Sequence, residues 1–333
     1  LSRHGLALVL LSLVACRGGL EHEPSPYALD DLLTPNHGQF IGTHNSTHLE
    51  PELLPTREWA YSHAPLIEQF ASQGVRQIEL DVHLGPDGLE VYHVPGLDEE
   101  TTCRSFRVCL ELIRIWSDTN PGHFPILVLV EPKDDIDPEP LSGRLDEIDA
   151  EILSVWPPSR LIVPDGLRAG APTLREAVWG RGWPPLSETR GKLIFTLLDR
   201  AAHRDEYSRG GESLEGRVMF VPGRSLEDPL NAVMSQDDPV ADLDLIGEAV
   251  RGGILVRTRA DGDLDAIAAN DPTTLETALA SGAQYLSTNW PVPVSEQAFF
   301  ASIPEGSPGR CNPVTAPPGC EALLLENPAF LGY

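Results

Sequence analysis

Short apolar, β-branched runs alternating with segments of helical periodicity constrain this chain more than any other feature. The runs fall at residues 39–42, 76–82, 126–130, 161–163, 192–198, 217–221, 253–258 and 284–287. Between them, Leu66, Ile67, Phe70 and Ala71 share one helical face, with Pro65 at the first turn and Gly74 past the end. Leu141, Leu145, Ile148, Ile152 and Val155 recur at helical spacing, and residues 242–251 and 273–281 add two more helical patterns. Mostly apolar strands that alternate with helices predict a parallel sheet covered on both faces, and eight repeats predict closure into a single α/β barrel of the (β/α)₈ type. A doubly wound sheet is the rival, but no Gly-rich phosphate loop follows the first run. The barrel is expected over residues 35–300. Residues 301–333, rich in Pro and Gly from 304 to 318, read as an irregular extension.

Charge and the N-terminus narrow the partners. Fifty acidic residues against 24 basic ones give a net charge of -26, which argues against nucleic-acid binding and against adsorption to anionic lipid through a basic patch. Arg3 precedes an apolar run from Leu6 to Val14, too short to span a bilayer and of signal-peptide length. The run ends in Leu13-Val14-Ala15-Cys16, which resembles the bacterial lipobox. That resemblance implies removal of residues 1–15, lipidation of Cys16, a tether over 16–34 and a membrane lipoprotein. Arg17 in place of Asp favours the outer membrane or cell surface. Several acyl chains suffice for stable anchoring, since each buried methylene contributes roughly 0.8 kcal/mol. A plain secretory signal with a chance cysteine is the alternative. Export makes disulfides permissible; among the four remaining cysteines the local pairings Cys103–Cys109 and Cys311–Cys320 are favoured out of three connectivities. No coiled-coil heptad marks an oligomer seam.

Four polar clusters end or follow apolar runs: Gly42-Thr43-His44-Asn45-Ser46, Glu79-Leu80-Asp81-Val82-His83, Val91-Tyr92-His93 and Glu131-Pro132-Lys133. In a barrel these are the strand ends at which active sites sit. Glu79 and Asp81 are two apart on a strand and leave the same face, where two carboxylates repel unless a cation joins them. With Glu131 and Asn45 they make four oxygen ligands, three of them anionic. An all-oxygen set selects a hard cation, calcium first and magnesium next. One carboxylate alone could merely pair with Lys133 or an arginine. His44 and His93 are the natural proton handlers, since imidazole titrates near neutrality. His48, His63 and His123 fit structural positions, and His83, with the parity of Glu79 and Asp81, is expected to come nearest the site. Lys133, Arg257 and Arg259 are candidates to hold a substrate phosphate or sugar hydroxyls, or else to balance the carboxylates. Asp199 is a candidate for substrate hydroxyls, or a helix cap. Such a set equips a chain for metal-assisted attack on phosphorus.

With these residues placed, the chain from about Asn36 to Val294 resembles the calcium-dependent phosphoinositide-specific phospholipase C family in its bacterial branch. The resemblance rests on the four clusters, on His93-Val94-Pro95-Gly96-Leu97-Asp98 and on Val256-Arg257-Thr258-Arg259-Ala260-Asp261. It implies that Asn45, Glu79, Asp81 and Glu131 hold calcium, that His44 stabilises the transition state and that His93 protonates the leaving oxygen. The base stays open between a ligating carboxylate and a histidine. The implied substrate is a phosphatidylinositol-type phospholipid, cleaved by its own inositol 2-hydroxyl to release diacylglycerol. Ser287-Thr288-Asn289-Trp290-Pro291 is similar to the family's last strand, but Asn289 and Trp290 depart from its pattern and receive no role. A glycerophosphodiester phosphodiesterase is the nearest alternative; the His-Arg-Gly start of that family is missing near His44. A catalytically silent lipoprotein that binds headgroups is the other, and it has no need of proton-transfer groups.

Overall fold

A computed structural model of the chain describes residues 26–134, 140–199, 201–295, 297–306 and 308–332. The signal-like run and Cys16 lie outside these residues. The sheet contains β1 (Gly38–Thr43), β2 (Gln77–Gly85), β3 (Gly88–Val91), β4 (Ile126–Pro132), β5 (Leu193–Leu197), β6 (Val233–Gln236), β7 (Leu255–Arg259), β8 (Tyr285–Thr288) and β9 (Gly309–Cys311). Seven strands run parallel in the order β5-β4-β2-β1-β8-β7-β6. Between the two ends of that order lies the segment around Phe220, joined to β5 by the bridge Thr196–Phe220 and to β6 by Pro222–Val233. The ring is thus a nearly closed parallel barrel with helices outside it, an α/β barrel of the expected class.

Two of the eight expected strands differ. The run at 161–163 supplies one bridge, Leu161 to Leu193, at the start of β5, because the chain turns into the helix Pro164–Arg168 immediately afterwards. The run at 217–221 fills a strand position without becoming a regular strand. Met219 N–H donates to the Tyr207 hydroxyl rather than to a neighbour strand, and Pro222 has no N–H to continue a ladder. Val233–Gln236, which lies outside the eight apolar runs, is the sixth stave.

Packing explains the rest. All six residues of β1 are buried. At Gly42 an added Cβ would come within 2.8 Å of Gln77 Cβ on β2, so glycine is required for that pairing. The helix Phe106–Thr119 buries Phe106, Cys109, Leu110, Ile113 and Trp116 at helical spacing. It was unmarked in the sequence because Val108 and Ile115 place apolar side chains on its solvent face. The extension is built into the barrel's N-terminal end. There β9 runs antiparallel to β1, Cys311 joins Cys320, and Glu326 is buried against Arg76. The other disulfide, Cys103–Cys109, sits at the start of the 106–119 helix. Among the described residues no helix is long and apolar enough to cross a membrane.

Candidate active site

The C-terminal ends of β1, β2 and β4 bring the predicted cluster together. The register Asp81 to Glu131 puts these residues side by side, with Glu79 two residues back on the same face. The turn after β1 is tied to β2 twice: Ser46 N–H donates to the Glu79 carbonyl at 2.9 Å, and Glu79 N–H donates to Ser46 Oγ at 2.7 Å. Asn45 takes a left-handed conformation at φ 45°, which asparagine tolerates better than most residues. Glu79, Asp81 and Glu131 each offer an oxygen within 4.8 Å of the others, and one heteroatom of the Asn45 amide lies 3.2 Å from Asp81 Oδ2 and 3.3 Å from Glu79 Oε1.

The electrostatics fit a hard cation. Burial, with Glu131 adding to it, pushes the Glu79 carboxyl up to about 7 although Arg257 opposes the shift. Burial raises Asp81 well above the carboxylate range, against the pull of Lys133 and with Glu131 and Glu79 adding to the rise. Asp81 Oδ1 is buried and has no hydrogen-bond partner among the described residues. Buried carboxylates that crowd one another and leave an oxygen unused are a donor set suited to a divalent ion. Lys133 Nζ bonds Glu131 Oε2 at 2.9 Å and stands 3.5 Å from Asp81 Oδ2. Arg257 Nη2 reaches Glu79 Oε2 at 3.1 Å and its Nη1 pairs with Asp237. Both cations therefore balance the acidic cluster from its edges.

His44 stands beside this cluster, its Nε2 3.7 Å from Glu79 Oε1. Its Nδ1 is 3.0 Å from Asn289 Oδ1. Burial above all, with Arg259 and Arg257 adding to it, holds His44 well below its ordinary range, so the ring is neutral near pH 7. Asn289, to which the sequence pattern assigns no role, thus fixes the tautomer. Asp261 braces it from behind: Oδ2 accepts from Asn289 N–H at 2.8 Å and Oδ1 pairs with Arg259. His93 is held by Asp98, whose Oδ2 accepts from His93 Nδ1 at 2.7 Å and from His48 Nε2 at 3.0 Å. The turn from Val94 to Asp98, passing through Gly96 at φ 72°, folds this carboxylate back onto the ring five residues earlier.

Two expectations go elsewhere. His83 keeps the strand parity but lies on the β2–β3 hairpin, where it stacks on Tyr92 and bonds the Tyr92 carbonyl at 2.8 Å. Alternation fixes a face, not a height along the barrel. Asp199 accepts from Ala201 N–H and from His203 Nδ1, and His203 Nε2 reaches Asp134 Oδ2 at 2.8 Å, so Asp199 serves the loop and helix after β5. Tyr61, not singled out in the sequence, bonds the Asn45 amide at 3.3 Å. A cleft of about 600 Å³ opens alongside, lined by Tyr61, His63, Ile267, Asn289, Trp290 and Val294 among others.

Comparison with known proteins decides the family. The model for calcium-dependent phosphoinositide phospholipase C matches residues 83–313, more than half of the chain. The chain belongs to this family. The match includes His93, Glu131, Lys133, Arg257 and Arg259; His44, Asn45, Glu79 and Asp81 precede it and rest on the geometry above. The barrel is similar to the calcium-dependent phosphatidylinositol-specific phospholipase C of Streptomyces antibioticus, with TM-score 0.59, 21% identity, and 78% of this chain and 95% of that one covered. It is also similar to the calcium-dependent phosphoinositol-specific phospholipase C of a Gram-negative Pseudomonas species, with TM-score 0.56, 17% identity, and 79% and 92% covered. At these identities the likeness speaks for the fold. No curated protein matches.

Proposed function

We propose that the protein is a calcium-dependent phosphodiesterase that cleaves phosphatidylinositol-type lipids by attack of an inositol hydroxyl on phosphorus. The observation that carries this reading is the meeting of Glu79, Asp81, Glu131 and the Asn45 amide beside His44, in a chain of this family. Asn45, Glu79, Asp81 and Glu131 would hold the ion. Calcium, when bound, supplies positive charge that lowers the pKa of the attacking hydroxyl and neutralises phosphoryl oxygens. With its Nδ1 proton given to Asn289, neutral His44 keeps a lone pair on Nε2. That nitrogen takes the proton of the attacking hydroxyl and returns it as a hydrogen bond to the phosphoryl group. Asp98 holds the His93 ring through Nδ1, and His93 gives a proton to the leaving oxygen of diacylglycerol. Lys133 and Arg259, each partly exposed at the rim, bind substrate phosphate or hydroxyls, whereas buried Arg257 serves Glu79.

The test is release of inositol phosphate from phosphatidylinositol, run with and without calcium beside a panel of other phospholipids. Activity is expected to vanish in His44→Ala, in Glu79→Gln and in excess chelator. Unchanged turnover in His44→Ala would sink the mechanism, and full activity in chelator would sink the metal assignment. Glycerol phosphate as the sole product would instead identify a glycerophosphodiester phosphodiesterase, and no product from any lipid would leave a headgroup-binding protein.

A further inference from the structure

Asn45 is unlike the other proposed cation ligands, because the two heteroatoms of its amide have opposite hydrogen-bonding character. One heteroatom faces Asp81 Oδ2 and Glu79 Oε1 at 3.2 and 3.3 Å, and the other faces the Tyr61 hydroxyl at 3.3 Å. With oxygen inward, the amide presents a third acceptor to two carboxyl oxygens, which is favourable only with a cation or a carboxyl proton among them. With nitrogen inward, the same amide donates to both carboxylates. The backbone leaves no other adjustment. Asn45 is held in its turn by His48 N–H, which donates to the Asn45 carbonyl at 2.9 Å, and by the double tie between Ser46 and Glu79. Rotation of the amide plane is the freedom that remains.

Tyr61 meets the requirement of both orientations. A phenol both donates and accepts, so its hydroxyl can take a hydrogen bond from an outward NH₂ or give one to an outward oxygen. The ring is buried and fixed, stacked on His48 at 4.2 Å and edge-on to His63 at 5.3 Å. We infer that the Asn45 amide is a two-position rotor, NH₂ toward Glu79 and Asp81 without a cation and oxygen toward them with one, and that the Tyr61 hydroxyl is the pivot satisfying the outward heteroatom in both positions. This inference rests on the proposed cation site. It makes Tyr61 a positioning residue for Asn45, and it explains how closely set carboxylates are kept apart and ready when no ion is present.

Removing the hydroxyl does not weigh equally on the two positions. An under-satisfied buried carbonyl is tolerated more readily than an orphaned buried N–H, so Tyr61→Phe penalises the oxygen-inward position more. Calcium affinity, measured by titration calorimetry without substrate, is expected to fall roughly 10-fold, at the low end of the usual effect of losing an outer-shell partner. Glu79→Gln is the control and is expected to bind no calcium. A second measurement needs only one substitution for assignment. In protein labelled with ¹⁵N-asparagine, the side-chain signals missing from Asn45→Ala belong to Asn45, and calcium is expected to shift both amide protons as they leave the Glu79 and Asp81 carboxyl oxygens for the phenol.

If wild type binds calcium no better than Glu79→Gln, the cation site itself fails and the rotor with it. If wild type binds calcium but the Asn45 signals stay in place, or Tyr61→Phe binds within twofold of wild type, the cation site stands and the rotor is overturned. A Tyr61→Phe variant that is merely less stable, with affinity intact, would also assign the hydroxyl a structural role and overturn it.

Discussion

Glu326, in the extension that the sequence presents as irregular, forms a buried ion pair with Arg76 at the start of β2. Arg76 Nε donates to Glu326 Oε2 at 2.8 Å, Nη2 donates to Oε1, and Phe124 N–H donates to Oε2 at 2.5 Å. Both side chains are excluded from solvent, and Arg76 also stands over the Trp116 ring at 4.7 Å. Glu326→Gln keeps the shape but removes the counter-charge, leaving a guanidinium that keeps only uncharged partners, among them the Phe70 and Val75 carbonyls and the Trp116 ring. Breaking one side of such a pair costs about 3–5 kcal/mol. Taking an unfolding entropy of roughly 2.1 cal/mol/K per residue over roughly 300 ordered residues, that cost lowers the melting temperature by about 5 to 8 °C. Thermal melts followed by circular dichroism measure it. Arg76→Met with Glu326→Leu should recover most of the loss, because a well-packed apolar pair replaces a buried ion pair at little cost. A single variant within 1 °C of wild type, or a double variant no better than the single, would refute the argument that this pair fastens the extension to the barrel.

Three further outcomes follow from other parts of the molecule. His123 is fully buried between Ser117 Oγ and the Phe124 carbonyl, and burial foremost holds its pKa down to about 3. Because the folded value lies below the unfolded one, the contribution is intact above about pH 6.5 and is lost as pH falls toward 3. It should amount to about 2 kcal/mol lost by pH 5, read as the difference in urea-unfolding free energy between wild type and His123→Asn at pH 8 and pH 5; equal pH dependence in both would count against it. Asn289→Asp places a carboxylate 3.0 Å from His44 Nδ1, so the His44 pKa should rise and the acidic limb of the turnover–pH profile should move to higher pH; an unmoved limb would mean that His44 does not set it. Finally, we propose that Cys16 carries a lipid anchor: the mature protein should partition into detergent, and Cys16→Ser should stay in the aqueous phase.

Much of the site was legible because its residues end strands, and strand ends gather at one rim of a barrel. Glu79 and Asp81 follow from alternation, and Glu131 and Asn45 from their places after apolar runs. Alternation could not tell that His83 sits beyond the rim on a hairpin. Nor did it mark Val233–Gln236, a short strand whose last two residues, Ser235 and Gln236, are polar. Tyr61, Asp98 and Asn289 escaped for a common reason. Each acts on a residue of the site through a contact that chain spacing alone does not announce: Tyr61 on Asn45, Asp98 across a tight turn on His93, and Asn289 on His44 from 245 residues along the chain.

The sequence by itself determined the alternation that makes a barrel and the inventory of acids and histidines at its mouth, because periodicity and residue type are local properties. Only the tertiary structure decided what each group does there. Pairing of β1 with β8 sets Asn289 against His44, and the Ser46–Glu79 ties hold Asn45 against the carboxylates. The burial that raises Glu79 and Asp81 exists only once the ring of strands has closed around them. Charge state, tautomer and side-chain orientation are set by neighbours distant in the chain, and those neighbours meet only in the folded barrel.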